Sequence, residues 1–254
     1  MRRAKLSASD ISKSFSMPGE DIFLQALEKI DFEIQEGEFV SILGPSGCGK
    51  STFLNILAGF EDVDCGNVVC CGESIKGPSP ERAVVFQSPV LFPWLDVKEN
   101  IMYGLKQVGK RKADAEQLAS EYLKAVGLED FGNYYPSQLS GGMQQRVSLV
   151  RSLILDPKVL LMDEPFAALD AQTRYSMQQL LLQLWESNRQ TILFITHDVE
   201  EALLLSDRIC IMSRRPGSII EEISVPFERP RTITLAGSED FSILKSRILS
   251  KLLT

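Results

Sequence analysis

Short apolar runs separated by glycine-containing turns dominate residues 6–86, a pattern typical of β-strands. One helix interrupts this block. It begins at Lys50, its apolar side chains recur at helical spacing, and it ends near Gly59. We therefore expect a β-rich N-terminal part with a single helix. Its predicted strands cover residues 32–34, 39–43, 68–71 and 83–86.

The spacing of apolar residues becomes helical after residue 95. Val97, Ile101, Leu105 and Val108 lie at positions i, i+4, i+8 and i+11, so they share one face of a helix. Further apolar positions follow, with charged residues between them. This change of period predicts a helical subdomain, over about residues 95–155, inserted between two β-rich halves.

Strands and helices alternate beyond residue 156. The predicted strands are almost purely apolar and are joined by helices, as in a parallel sheet covered on both faces. We therefore expect an α/β fold. A short amphipathic helix in the C-terminal residues 232–254 should pack on the domain rather than on a membrane. The predicted strands are 159–162, 192–195 and 209–212, and the predicted helices are 171–186 and 199–205.

Charge and cysteine content exclude several classes of protein. The formal charge of −7 argues against a dedicated nucleic-acid surface, which would carry a basic excess. The five cysteines are odd in number and irregularly spaced, which favours a reducing cytoplasm. A metal site at Cys65, Cys70 and Cys71 is disfavoured because the only histidine lies far along the chain.

The N-terminal residues 1–10 are basic but no apolar segment follows them, so we expect neither a signal peptide nor a membrane anchor. No uncharged apolar run approaches the ~18 residues that span a bilayer. Any association with a membrane should therefore depend on a partner.

Residues 44–51 read G-P-S-G-C-G-K-S and lie between an apolar strand and a helix, where a phosphate-binding loop belongs. Glycines let backbone N–H groups turn around a β-phosphate, Lys50 adds positive charge, and the Ser51 hydroxyl suits Mg²⁺. An ordinary turn is the alternative. The predicted ATP contacts of this segment are Gly44, Pro45, Ser46, Gly47, Cys48, Gly49, Lys50, Ser51 and Thr52.

Cys48 has two readings within this loop. It can be a small filler, or a neighbouring positive charge can lower its pKa and make the thiol reactive. The sequence leaves both open.

An apolar strand at residues 159–162 ends abruptly in two carboxylates, Asp163 and Glu164. Such a strand end brings acidic groups to the phosphate-binding edge of a parallel sheet. We expect Asp163 to hold Mg²⁺ through its water shell and Glu164 to face the attacking water as a base. The alternative is an exposed acidic turn without function.

Residues 139–146 read L-S-G-G-M-Q-Q-R, a Ser-Gly-Gly turn that opens a helix and offers a hydroxyl, backbone amides and a dipole end to an anion. Alone, it could be an ordinary N-cap. Placed between the helical insert and the acidic strand, it closely resembles the signature sequence of the ATP-binding-cassette (ABC) family.

The resemblance implies a P-loop NTPase core with a mostly parallel sheet, an N-terminal antiparallel β subdomain and an inserted helical subdomain. An ABC ATPase domain would cover residues 1–231. The cofactors implied are ATP and Mg²⁺, and the partner implied is a second cassette. In such a homodimer, ATP held by Lys50 of one copy is closed over by Ser140, Gly141 and Gly142 of the other.

Further family positions are carried over residue by residue. Phe15 matches the aromatic that stacks on adenine, with an edge-strand core phenylalanine as the alternative. Gln87 matches the glutamine that approaches Mg²⁺ and water, and residues 168–170, ending in Asp170, match the segment that crosses the dimer interface. His197 matches the switch histidine that contacts the γ-phosphate, although a lone histidine is often structural. The implied catalytic residues are Glu164, His197, Gln87 and Lys50, and the implied metal-site residues are Ser51, Gln87 and Asp163.

Three segments look like the importer group for nitrate, sulfonates, taurine and bicarbonate: F-P-W at 92–94, R-P-G at 215–217, and residues 226–231. The resemblance implies an integral membrane permease, a periplasmic or lipid-anchored solute-binding protein and a peripheral location on the cytoplasmic face of the membrane. Residues 88–94 would dock on the permease, unless they form a locally packed proline-rich loop.

Two alternatives come from other classes. A cassette ATPase acting on nucleic acid or ribosomes should show paired cassettes, a coiled-coil insert or a basic linker, and this sequence shows none of these. A P-loop kinase needs an acceptor pocket and does not explain residues 139–146.

Overall fold

A computed structural model describes residues 4–16, 23–167 and 169–253. Its strands and helices follow the predicted order, and the structure adds three strands that the sequence pattern did not predict, at residues 4–16, 73–74 and 219–224. The strands are β1 (Ala4–Ser16), β2 (Phe23–Gln35), β3 (Phe39–Leu43), β4 (Cys65–Cys70), β5 (Glu73–Ser74), β6 (Arg82–Val85), β7 (Val159–Asp163), β8 (Thr191–Ile195), β9 (Arg208–Met212) and β10 (Ile219–Ser224). The α-helices are α1 (Lys50–Ala58), α2 (Val97–Gln107), α3 (Lys112–Ala125), α4 (Gly141–Leu153), α5 (Ala171–Asn188), α6 (Val199–Leu205) and α7 (Glu239–Leu253).

The central sheet has the strand order β10-β9-β3-β8-β7-β6. Its neighbours pair in parallel except for β10, which pairs antiparallel with β9. Successive residues of β7 face opposite cores: Leu161 packs on the side of α1, while Leu160 and Met162 pack on the side of α4 and α5. Burial on both faces explains the uninterrupted apolar strands. The predicted α/β fold with a mostly parallel sheet is confirmed.

The N-terminal strands form a second, antiparallel sheet in the order β2-β1-β4-β5. The predicted strand at 32–34 is only the last part of the thirteen-residue β2. Asp10 and Lys29 have φ angles of 55° and 45°, and the β1–β2 register shifts between Ala8 and Ile11. Such irregularities break the alternation of buried and exposed residues, so the pattern hides the full strand length.

Helices α2, α3 and α4 enclose a hydrophobic core of their own, which includes Ile101, Ala119 and Val147. A capping box begins α2, since the Asp96 side chain accepts from the Glu99 N–H while Glu99 accepts from the Asp96 N–H. The inserted helical subdomain is therefore a separately packed unit attached to the sheet.

The C-terminal helix α7 packs on the domain, as predicted. Phe241 and Ile248 are buried in a core shared with α6, β9 and β10. Beside this buried face, Arg247 and Lys251 form ion pairs with Glu221 of β10. None of the helices in the described part of the chain is long and apolar enough to cross a bilayer.

Helix α1 is held between the two sheets by Phe53. This side chain is fully buried, and its ring meets that of Phe32 edge-to-face at a centroid distance of 5.6 Å. The helix that begins at Lys50 is therefore anchored to the antiparallel sheet as well as to the central one.

Replacing Phe53 by alanine should lower the free energy of unfolding by about 3–5 kcal/mol, because the substitution leaves a cavity in the shared core. Urea denaturation followed by circular dichroism would measure the loss. Phe23→Ala is the control, since that ring is 74% exposed and its removal should change stability little. Equal losses in the two variants would contradict this account of the core.

Candidate active site

Parallel pairing brings four loops to one edge of the central sheet. Ile195 at the end of β8 pairs with both Ile42 of β3 and Asp163 of β7, and Met162 of β7 pairs with Val85 of β6. The segments that follow these strands therefore lie side by side at their carboxyl ends, where open α/β sheets bind ligands. They are the phosphate loop, the segments containing Gln87 and Glu164, and the segment containing His197.

The phosphate loop depends on glycine at two positions. Gly47 and Gly49 have φ angles of 75° and 111°. A Cβ atom on Gly49 would lie only 2.6 Å from the Leu27 side chain and 2.9 Å from the Ala26 carbonyl oxygen. Because Gly49 provides no side-chain cap, the first N–H groups of α1 are left for a ligand.

Lys50 lies under this loop. Its Nζ donates to the carbonyl oxygens of Gly44 at 2.8 Å and Pro45 at 3.0 Å, and the residue is 5% exposed. The ammonium is thus held inside the curve of the loop, and its positive charge suits an anion such as phosphate.

A cleft of about 360 Å³ opens beside the phosphate loop. Phe15 is 39% exposed at this cleft, and the Lys13 ammonium lies 5.2 Å from its ring centroid, so the reading of Phe15 as a core residue is wrong. The cleft is lined by Phe15, Leu24, Ala26, Ser46, Gly47, Gly49, Lys50, Ser51, Thr52, Gln87, Glu164 and Arg215.

The Cys48 thiol is buried and fills space beside Gly44, where an added Cβ would lie 2.9 Å from the sulfur. Burial raises the pKa of the Cys48 thiol and outweighs the lowering by the charges of Lys50 and Arg215. A neutral, buried thiol is a poor nucleophile, so the structure favours the reading as a filler.

Asp163 and Glu164 occupy different environments although they are neighbours. Burial raises the pKa of Asp163, and a hydrogen bond with Ser51 opposes that shift. The backbone of Glu164 turns into the left-handed region at φ 43°, and its N–H donates to the Ile195 carbonyl oxygen at 2.9 Å. This turn directs the second carboxylate away from the first, toward the end of β8.

His197, which follows β8, contacts Glu164, which follows β7. Its Nδ1 lies 3.0 Å from the Glu164 carboxylate, and its side chain is 60% exposed. A carboxylate hydrogen-bonded to an imidazole can accept a proton from water while the ring stays oriented. The structure therefore joins two of the predicted catalytic residues.

The donor set of the cleft fits a magnesium nucleotide. The Ser51 hydroxyl, the Asp163 carboxylate and the Gln87 amide oxygen are the hard oxygen ligands that Mg²⁺ prefers. Lys50 and the N-terminal amides of α1 can bind the phosphates. The exposed Phe15 ring can stack on the nucleobase. Phe15, Lys50, Ser51 and Gln87 line the cleft, and Asp163 lies beside it through its hydrogen bond with Ser51.

The residues of the Ser-Gly-Gly turn and Asp170 do not line this cleft. Ser140 caps α4 by accepting from the Met143 N–H at 3.3 Å. Asp170 caps α5, and its hydrogen bond with Thr173 lowers the pKa of the Asp170 carboxyl. A Cβ on Gly142 would lie 3.0 Å from the Thr173 methyl, so the two predicted interface segments are neighbours. Ala168 lies outside the described residues.

Arg215 is a cleft residue that the sequence did not identify as part of the site. Its Nε and Nη2 donate to the Gly47 carbonyl oxygen at 3.1 and 2.7 Å. A parallel bridge between Leu27 and Gly217 holds its turn against the loop, and a Cβ on Gly217 would clash with the Cys48 carbonyl oxygen. Only this tertiary contact reveals the position of Arg215, because no local pattern predicts it.

Comparisons with known proteins agree with this geometry. Residues 27–167 match the family described as ABC transporter. The chain is 48% identical over 222 residues to the taurine import ATP-binding protein TauB of Roseobacter denitrificans, covering 87% of this chain and 82% of the relative. It is 43% identical over 246 residues to the aliphatic sulfonates import ATP-binding protein SsuB of Bacillus cereus, covering 97% and 95%.

Among solved structures, the fold matches the dimeric structure of MJ0796, a bacterial ABC transporter cassette, with a TM-score of 0.79 and 33% identity over 88% of this chain and all of the other. The family match covers more than half of the chain, and the sequence relatives span nearly all of it. The chain thus belongs to the ABC transporter family and is one of its ATP-hydrolysing, ATP-binding cassettes.

Proposed function

We propose that this cassette drives the import of a small solute of the taurine, sulfonate, nitrate or bicarbonate kind through a separate membrane permease. The contact between Glu164 and His197 beside the phosphate loop supports a hydrolytic site. The names of the taurine and sulfonate relatives support the direction of transport and the class of solute. The cassette would then lie peripherally on the cytoplasmic face of the membrane.

Each side chain has a distinct part in the proposed hydrolysis of ATP. Lys50 and the α1 amides bind the phosphates, and Phe15 stacks on the adenine. Glu164 accepts a proton from the attacking water, and His197 holds the Glu164 carboxylate and contacts the γ-phosphate. Ser51, Asp163 and Gln87 would hold Mg²⁺, which neutralises charge on the phosphates when it is bound.

The separation of the Ser-Gly-Gly turn from the cleft supports a site shared between two copies of the chain. Residues 140–142 and Asp170 lie together but away from Lys50, so one copy alone does not surround a triphosphate. The dimeric arrangement named for the structural relative is consistent with this proposal. Hydrolysis removes the γ-phosphate that both copies contact, and the two cassettes then separate.

An apolar groove of about 450 Å³ between the core and the helical insert is the proposed docking site for the permease. Phe92 lines this groove: its ring is 4.5 Å from that of Tyr103, and the Arg151 guanidinium lies 5.5 Å from its centroid. The buried Asn100 side chain holds the same loop. Its Oδ1 accepts from the Phe92 N–H, and its Nδ2 donates to the carbonyl oxygens of Phe92, Leu95 and Asp96. Val90 leaves 56% of its surface exposed at the groove.

Deleting the gene that encodes this chain tests the proposed solute class directly. Uptake of labelled taurine, an alkanesulfonate, nitrate and bicarbonate would be measured in the deletion strain and after complementation. We expect uptake of at least one of the four to fall and to be restored by the complementing chain. Unchanged uptake of all four would refute the importer branch.

Glu164→Gln should lower the rate of ATP hydrolysis by about 10²- to 10⁴-fold, because the amide cannot accept a proton from water. ATP should still bind and hold two copies together, which light scattering with Mg²⁺ and ATP would detect alongside phosphate release. Glu129→Gln is the control, since that side chain is exposed on the helical insert. Normal hydrolysis by the Glu164 variant would show that Glu164 is not the base.

Val90→Asp should abolish co-purification with the permease and solute uptake, because a charge in the apolar groove cannot be desolvated without cost. ATP affinity of the isolated chain should be retained, since Val90 does not line the nucleotide cleft. Ile233→Asp is the control, as Ile233 is similarly exposed but lies outside the groove. If both variants transport solute normally, the groove is not the docking site.

A further inference from the structure

Arg174 contacts the interface segment from within α5, one turn after Asp170. Its Nη2 donates to the Leu169 carbonyl oxygen at 2.9 Å, and its own N–H donates to the Asp170 carbonyl oxygen at 2.8 Å. Leu169 is only 7% exposed, so its side chain packs against the core of the domain. The guanidinium of Arg174 is therefore tied directly to the backbone of the interface segment.

The same guanidinium faces the loop that carries His197. Arg174 Nη1 lies 3.9 Å from the Asp198 carboxylate, and Arg174 Nε lies 3.9 Å from the Glu201 carboxylate. Asp198 directly follows His197 and caps α6 by accepting from the N–H groups of Glu200 and Glu201. One side chain thus lies between the two segments that are proposed to close on the γ-phosphate.

Glu201, the second carboxylate near Arg174, also contacts Thr196, which precedes His197 in the chain. Its buried carboxylate accepts from the Thr196 hydroxyl at 2.6 Å and from the Gln178 amide at 3.1 Å. The Asp198 N–H donates to the same Thr196 hydroxyl oxygen at 3.0 Å. Glu201 therefore holds Thr196, and Thr196 in turn holds the Asp198 backbone.

The distances leave room for movement. Good N–H···O hydrogen bonds measure about 2.9 Å, so the 3.9 Å separations from Asp198 and Glu201 are ion pairs without hydrogen bonds. Among the described residues, Arg174 Nε is buried and has no hydrogen-bond partner. A shift of about 1 Å would bring a donor onto either carboxylate. Arg174 does not line the nucleotide cleft, and the polar groups of the 196–201 segment lie next to its guanidinium.

We propose that Arg174 is a positioning residue that links the interface segment at Leu169 and Asp170 to the orientation of His197. When the partner cassette displaces the interface segment, the bond to the Leu169 carbonyl moves the guanidinium relative to Asp198 and Glu201. The loop at residues 196–198 follows, and hydrolysis becomes dependent on dimer contact. This inference rests on the proposed role of His197.

A double-mutant cycle on the full-length chain tests the link. Arg174→Ala should lower kcat for ATP hydrolysis about tenfold and leave KM within about twofold, because the side chain does not touch the nucleotide. His197→Ala should lower kcat more strongly. Since Arg174 acts through His197, adding Arg174→Ala to His197→Ala should cause no further loss of kcat.

Two further variants keep the test decisive. Arg174→Lys retains charge but cannot reach Leu169 and both carboxylates together, so its kcat should fall between those of the wild type and Arg174→Ala. Arg111→Ala removes an exposed arginine from an ion pair with Asp114 and should leave kcat unchanged in both backgrounds. Matched urea unfolding midpoints would exclude a loss of folded protein as the cause.

The outcomes separate this inference from the proposed function. Multiplicative losses from Arg174→Ala and His197→Ala would overturn the link while leaving the role of His197 intact. Normal kcat in His197→Ala alone would overturn the proposed role of that histidine, and the link with it. Absence of a kcat effect in Arg174→Ala would overturn the link alone.

Discussion

Parallel pairing of β3, β8, β7 and β6 is the constraint on which the whole site depends. The pairs between Ile195 and both Ile42 and Asp163 align the carboxyl ends of three strands. A shift of one residue would turn each strand's side chains to the opposite core, where they would not fit the side chains already packed there. The positions of Lys50, Glu164 and His197 therefore follow from the packing of apolar strands that carry no chemistry themselves.

The residues proposed to contact ATP lie on two separate surfaces of the chain. One surface holds the phosphate loop, the acidic pair and His197, and the other holds the Ser-Gly-Gly turn beside Asp170. The Ser-Gly-Gly turn belongs to the helical insert, which has its own core, whereas Asp170 begins α5 outside the insert. This arrangement suits a protein whose proposed cycle alternates between joined and separated cassettes.

Arg174 and Glu201 lie between the interface segment and the loop that carries His197. Burial raises the pKa of Glu201, and its hydrogen bonds with Thr196 and Gln178 and the charge of Arg174 oppose that shift. A buried carboxylate contributes little net stability when its desolvation is counted. We therefore interpret Glu201 and Arg174 as residues that specify the positions of loops, whereas the stability of the core comes from side chains such as Phe53 and Trp185.

Local sequence determined the α/β class, the phosphate loop and the acidic strand end, because glycine spacing, a lysine and an apolar strand act within a few residues. It predicted neither β1 nor the full length of β2, since bulges at Asp10 and Lys29 disrupt the alternation. Tertiary structure alone decided that His197 contacts Glu164, that Arg215 bonds the phosphate loop and that Arg174 faces Glu201. Each of these contacts joins residues distant in sequence, and their approach depends on strand register and helix packing that no local pattern encodes.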